Sequence, residues 1–232
     1  MRLIFLSLCF ACMVHASFSI SPFTLMLQVS RGESTGWVEI APNQDKRPIA
    51  VELAVFERIL DLNGEVKDTL VPNREFVVYP SEILLYPGEK SKVQVVLNSK
   101  AKVESDKAYI LQAKEVALPM PMENAGNAAS VGFSTLLIYN ATIALETGRP
   151  GSLTFVSSQV LEGGNVELIV ENKSAGRVPA DRLYIMAGGK KITEFSGKSN
   201  SIMPGQKRRF VFKHNKALTA KDVKFGTDGI GK

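Results

Sequence analysis

Short stretches in which apolar and polar residues alternate run along most of the chain, separated by turn residues. Trp37-Val38-Glu39-Ile40 alternates, and Ile49 to Phe56 follows as Ile-Ala-Val-Glu-Leu-Ala-Val-Phe. Asn63-Gly64 lies between Ile59-Leu60 and Val66, a dipeptide suited to the positive φ angles of a tight hairpin. Phe76-Val77-Val78-Tyr79 runs into Pro80, and Pro87-Gly88 reads as a turn, because Pro fixes φ and Gly accepts a positive one. Val93 to Leu97 and Tyr109 to Leu111 are further predicted strands. No stretch carries a helical stripe. Strands at this spacing predict a β-sandwich.

The pattern then breaks. Residues 119–130 read Pro-Met-Pro-Met-Glu-Asn-Ala-Gly-Asn-Ala-Ala-Ser, which predicts a flexible loop. Val131 to Leu145 follows as an apolar-rich run without a charge, far longer than the usual strand of about 5–6 residues. Proteins usually avoid a long uncharged strand beside a flexible loop, because an exposed edge templates aggregation. Gly148-Arg149-Pro150-Gly151 predicts a domain boundary. Beyond it Leu153 to Val156, Val166 to Val170, Leu183 to Met186 and Arg209 to Phe212 alternate again, with turns at Gly163-Gly164-Asn165, Gly188-Gly189 and Pro204-Gly205. The expected fold class is all-β, with a sandwich over 17–148 and a smaller one over 149–232.

The first residues have a different character. Met1-Arg2 is a short positive start, Leu3 to Val14 is uncharged and apolar, and Val14-His15-Ala16 places small residues before Ser17. This is the three-part layout of a cleavable export signal over 1–16. A membrane anchor is the alternative, but the run falls short of the ~20 apolar residues a span needs. Cleavage would remove both cysteines, Cys9 and Cys12, and His15, leaving His214 as the one histidine. The exported chain would then fold by packing alone, without thiol chemistry. Such a chain suits a bacterial periplasm at least as well as a eukaryotic secretory route.

Candidate chemistry is sparse. His214 lacks the orienting partner and nucleophile that a catalytic histidine needs. No Gly-x-Ser-x-Gly elbow occurs, and neither Gly pair has the spacing of a phosphate loop. Asp222 and Asp228 are too few for a calcium loop. No enzyme, metal or cofactor is expected. Lys190-Lys191 and Lys207-Arg208-Arg209 are basic, and the chain carries a net charge of +5. Without interleaved aromatics a solvated basic face is expected rather than a nucleic-acid partner. Asn140-Ala141-Thr142 and Asn172-Lys173-Ser174 match the glycosylation pattern; the first lies within the apolar run and reads as a chance match.

Three stretches, taken in order, resemble the PapD-like periplasmic pilus-assembly chaperones over nearly the whole chain after the leader. Tyr79-Pro80-Ser81-Glu82-Ile83-Leu84-Leu85-Tyr86-Pro87-Gly88 and the following Glu89 to Val95 resemble the family's Pro-x-x-x-x-Leu-x-Pro-Gly strand pair. Asp106 to Pro119 resembles its signature strand ending in Glu-Ile-Pro. The loop, the long run and Arg149-Pro150 resemble the last strand of its first domain and its hinge. Phe18-Ser19-Ile20-Ser21-Pro22 is most similar to the divergent, archaic-type branch.

The resemblance implies two immunoglobulin-like sandwiches in an L or boomerang arrangement. It implies a non-enzymatic periplasmic chaperone of the chaperone-usher pathway. Such a protein binds pilus or fimbrial subunits by donor-strand complementation, lending its long strand to a subunit that lacks one, and delivers them to an outer-membrane usher. Alternate side chains of the lent strand fill the subunit's groove. Val131, Phe133, Leu137 and Tyr139 share a face with Ile143 and Leu145, while Leu136 and Ile138 share the other. The first set is the favoured groove filler, because it continues one core-directed side; a slip of one residue or a bulge would invert the assignment. The run also fits a buried central strand, and periodicity does not separate the two.

The better-known branches hold the subunit's terminal carboxylate with an Arg near the chain start and a Lys on the long strand. Here Pro22 to Leu27 has no Arg, and Leu145 stands near the Lys position. Either another cation serves or the apolar strand carries the binding. The family's interdomain ion pair is expected from Asp106, Arg149 and Asp228, and self-association through the exposed strand stays open. The rival readings are a pilin or adhesin with immunoglobulin-like domains, and a secreted carbohydrate-binding module, for which Trp37 is the lone Trp.

Overall fold

The computed structural model describes residues 17–43, 47–67, 71–98, 100, 102–118, 136–196, 198, 201–213 and 223–228. The expected leader, the predicted loop, Val131, Phe133, His214 and Asp222 lie outside them. Among the described residues are strands and two short 3-10 turns, and no α-helix.

Ten strands build the first unit: β1 (Phe18–Ser21), β2 (Thr24–Gln28), β3 (Thr35–Pro42), β4 (Ile49–Glu57), β5 (Val71–Pro72), β6 (Phe76–Tyr79), β7 (Glu82–Leu85), β8 (Ser91–Leu97), β9 (Lys107–Val116) and β10 (Ile138–Glu146). One sheet has the order β1-β3-β8-β6, and the other β2-β10-β9-β4-β5, with β7 also on β4. The alternation seen in the sequence is the division between core and solvent. Ile49, Val51, Leu53 and Val55 of β4 point inward, as do Val93, Val95 and Leu97 of β8 and Ala141, Ile143 and Leu145 of β10. Each large apolar side chain so buried contributes about 1.5–3 kcal/mol.

The chain crosses from the first sheet to the second at Pro22, between β1 and β2, and at Pro80, between β6 and β7. Proline has no N–H to offer a ladder, so a strand readily ends there. The Asn63-Gly64 turn forms, but its flanks make a single bridge, Leu60 with Val66, rather than two strands. Asp61 holds this loop, its Oδ1 accepting from the backbone N–H groups of Asn63 and Glu65 at 2.8 Å each.

The second unit contains β11 (Thr154–Val160), β12 (Val166–Glu171), β13 (Leu183–Ala187), β14 (Lys190–Ile192), β15 (Phe195–Ser196), β16 (Lys207–Phe212) and β17 (Val223–Thr227). Its sheets run β11-β12-β16-β15 and β14-β13-β17. Its separate core holds Val166, Leu168, Val170, Leu183, Ile185, Phe210 and Phe212. Asn172 is fully buried here, its Nδ2 donating to the carbonyls of Gly176 and Ile202 while its Oδ1 accepts from Ser174. The Asn172-Lys173-Ser174 match is therefore a folded turn closed to modification.

Candidate functional site

The described part of the long apolar run divides in two. From Thr142 to Leu145, β10 lies between two neighbours, antiparallel to β9 and parallel to β2. From Ile138 to Ala141 it pairs with β9 alone among the described strands. The carbonyl of Leu137 accepts from the Glu115 N–H at 2.8 Å, and the Thr142 N–H donates to the Phe23 carbonyl at 2.8 Å. Main-chain groups alternate sides along an antiparallel strand. The N–H and C=O of Ile138 and Asn140 therefore point to the edge that β2 does not reach. A strand with an open edge of this kind can accept a further strand.

Side chains divide the same way. Leu137 and Tyr139 are half-buried and pack against the first core. Tyr139 meets Phe18 edge-on, with ring centroids 4.9 Å apart. Leu136 and Ile138, on the opposite face, are 42% and 53% exposed. Further along β10, beyond Leu136 and Ile138, the same face borders a cleft of about 160 Å³ between the two units. Thr24, Met26, Thr142 and Ala144 line it from the first unit, and Met203 and Gln206 from the second.

Two arginines border the cleft, Arg58 and Arg177. Arg177 is occupied: Nη2 lies 2.7 Å from Glu146 Oε1, and Nη1 donates to Ser201 Oγ at 3.1 Å. The guanidinium of Arg58 makes no ion pair or side-chain hydrogen bond among the described residues. Burial pulls its pKa below the usual arginine value, yet arginine starts so far above neutrality that it stays charged.

No protein-family model and no curated protein matches the chain. Solved structures do match. A chain of a chaperone–tip adhesin complex of CFA/I fimbriae biogenesis superposes with a TM-score of 0.59 at 16% identity, covering 93% of this chain and 100% of that one. The class 5 fimbriae chaperone CfaA gives 0.57 at 14%, covering 90% and 98%. The CsuC–CsuE chaperone–tip adhesin complex from the archaic Csu pili of Acinetobacter baumannii gives 0.55 at 15%, covering 87% and 90%. The fold is that of the fimbrial chaperones.

Within this chaperone fold, the expected ion pair of Asp106, Arg149 and Asp228 does not form. Asp106 is buried, and its carboxylate is taken up by the backbone. Oδ1 accepts from the N–H and the hydroxyl of Thr147, each at 2.7 Å, and Oδ2 from the Arg177 N–H at 2.9 Å. Donors on three sides satisfy the buried charge and leave no call for a guanidinium. Arg149 is exposed and makes no ion pair among the described residues, and Asp228 binds Lys191 at 2.5 Å within the second unit. Asp106 still joins the units, since its own N–H donates to the Ala175 carbonyl at 2.8 Å. The ion pairs across the junction are instead Glu146 with Arg177, at 2.7 Å, and Glu65 with Lys198, at 3.8 Å. Glycines let the backbones meet here: a Cβ on Gly176 would stand 2.1 Å from the Arg149 carbonyl oxygen.

Other residues of this junction went unnoticed in the sequence. Arg208 belongs to the cluster expected to form a solvated face, yet it is fully buried. It lies against the Asp61-to-Glu65 loop, where a Cβ on Gly64 would come within 2.0 Å of its Nη2. The Arg209 N–H donates to the Leu62 carbonyl at 2.7 Å. Burial lowers the Arg208 pKa, nearby Asp61 opposes the shift, and Arg58 adds to it. Only the meeting of a loop and a strand far apart in sequence reveals this contact.

Proposed function

We propose that this chain is an exported periplasmic chaperone that captures fimbrial or pilus subunits by lending them the strand over 131–145, and passes them to an outer-membrane usher. The open edge at Ile138 and Asn140 carries this reading. A subunit lacking a strand would pair its own edge with those main-chain groups. Its body would rest against the exposed Leu136 and Ile138 and in the cleft beside Thr142 and Ala144. Its groove would take the opposite face, which begins at Tyr139 and Leu137 and continues to Phe133 and Val131. The cleft and the groove then lie on opposite faces of one strand. This reading also supplies a substitute for the absent Arg and Lys clamp: Arg58 is the cleft cation available to a subunit's carboxylate. The fold shared with CfaA and CsuC supports the assignment.

The test is affinity capture from the native periplasm by the chain beginning at Ser17, with mass spectrometry of what co-purifies. A stoichiometric, β-rich exported partner, held by the unchanged chain and lost with Phe133→Glu, supports the reading. Arg58→Ala should weaken capture without abolishing it. A partner held equally by the Phe133→Glu chain would show that the strand is not what binds.

A further inference from the structure

A buried carboxylate stands where the long strand leaves the first sandwich. Tyr109, Leu111, Ala113 and Glu115 form the inward-facing row of β9, and Glu115 ends it at 4% exposure. A charge so placed needs partners. Ser17 Oγ donates to Glu115 Oε2 at 2.6 Å, the Leu137 N–H lies 3.4 Å from the same oxygen, and Arg47 Nη2 is 3.9 Å from Oε1. Ser17 is itself buried and fixed, because its carbonyl accepts from the Asn43 N–H at 2.9 Å. It is also the residue that follows the expected cleavage site.

We propose that removal of the leader creates an internal ion pair, in which the new α-ammonium of Ser17 binds Glu115 and thereby fixes Leu137 within the lent strand. Hydrolysis of the Ala16–Ser17 amide by a leader peptidase consumes one water. It leaves a carboxylate on Ala16 and an amine on Ser17 that is protonated at neutral pH, since α-amino groups titrate near 7.7–8.0. Before cleavage that nitrogen is a neutral amide. Afterwards it carries a full positive charge, three covalent bonds from the hydroxyl already touching Glu115. That places it within the ~4–6 Å over which opposite charges favour one another's ionised forms. Glu115 then holds both the amine and the Leu137 N–H. The folded chaperone would thus be completed only after export.

The inference rests on cleavage after Ala16, but its test does not depend on the chain being a chaperone. Two forms are prepared, one beginning at Ser17 and one retaining Ala16, each with Glu115 and with Glu115→Gln. With Glu115 present, retaining Ala16 should lower the melting temperature by roughly 2–4 °C and speed hydrogen exchange at the Leu137 amide. With Glu115→Gln, the two forms should melt together. An equal drop in both backgrounds would mean that Ala16 is merely crowded, and no drop in either would mean no pair forms; either result overturns the proposal. If Glu115→Gln does not fold, a third form with Glu115 kept and the Ser17 amine formylated decides. Loss of Leu137 protection there supports the pair, and unchanged protection overturns it.

Discussion

The two halves of β10 share composition and differ in surroundings. Thr142 to Leu145 lies between β9 and β2, with Ile143 and Leu145 sealed in the core. Ile138 to Ala141 has a partner on one side only among the described strands, and Ile138 stands in solvent. Both halves are apolar and uncharged up to Glu146. What separates them is where β2 begins to pair. Apolar sequence is thus a poor guide to whether a strand serves its own fold or another's: the side chains set the faces, and the neighbouring strand sets the edge.

The largest effect expected from a single substitution lies in the sealed half. Leu145→Ala should cost about 2–5 kcal/mol of stability, the range for deleting a fully buried leucine side chain, read by denaturant unfolding. In the open half the loss should fall on binding instead. Leu137→Glu should reduce subunit capture by about 100-fold or more, since a charge in a closed apolar groove is costly, with a smaller loss of stability. Ile138→Glu, on the exposed opposite face, should reduce capture by less. The reverse ranking, measured by titration with the captured subunit, would put the Ile138 face in the groove.

Gly64→Ala separates the strand from the junction at its end. Gly64 has φ +84°, and a methyl group there meets Arg208. The substitution should cost about 1–3 kcal/mol, the range for overpacking and for a strained left-handed residue. Its signature is independent melting of the two units, seen by calorimetry, with the open edge intact.

The smallest effect is one of pH. Glu75 lies near Tyr109 and Lys107, whose Nζ is 3.2 Å from Glu75 Oε1. Burial works to raise the Glu75 pKa, but hydrogen bonds from Tyr109 and Lys107 and the lysine's charge outweigh it, leaving it below the usual carboxylate value. Burial, together with the same contact, pushes the Tyr109 hydroxyl up. A lowered carboxylate pKa contributes stability above the unfolded-state value of 4.5, and that contribution disappears as pH falls through the folded-state value. Glu75→Gln should therefore lower the melting temperature slightly at neutral pH. The difference from the unchanged chain should close in acid, below the usual carboxylate range.

Much of the fold was legible as alternation. Ile49 to Phe56, Val93 to Leu97 and Val166 to Val170 become strands whose alternate apolar residues face inward, because period two assigns a face wherever one side is dry. The two cores, divided near the Gly148-to-Gly151 segment, follow for the same reason. The site was legible only in part. The uncharged run and the shared face of Leu137 and Tyr139 could be read directly. The parallel pairing of β2, which stops at Thr142, could not, because periodicity does not name a partner. Residues 119–135, including Val131 and Phe133, lie outside the described structure, so their faces rest on alternation alone.

Charges were the least legible feature. Arg208 sits in a basic triplet that reads as surface, and Asp106 matches a family ion pair, yet one is buried beneath a glycine loop and the other is consumed by backbone donors. Glu115 ends an alternating strand like any edge carboxylate, and its contact with Ser17 spans 98 positions. Apolar residues are sorted by burial, a one-body property that a local pattern carries. Charged residues are placed by pairing, and the partner is supplied by whichever distant segment the fold brings near. The sequence by itself determined the strands, their inward faces, the two cores and the one run too apolar for an edge. Only the tertiary structure decided which part of that run stays open, which arginine the cleft leaves available and which carboxylates the interior holds, because each depends on contacts between segments remote in the chain.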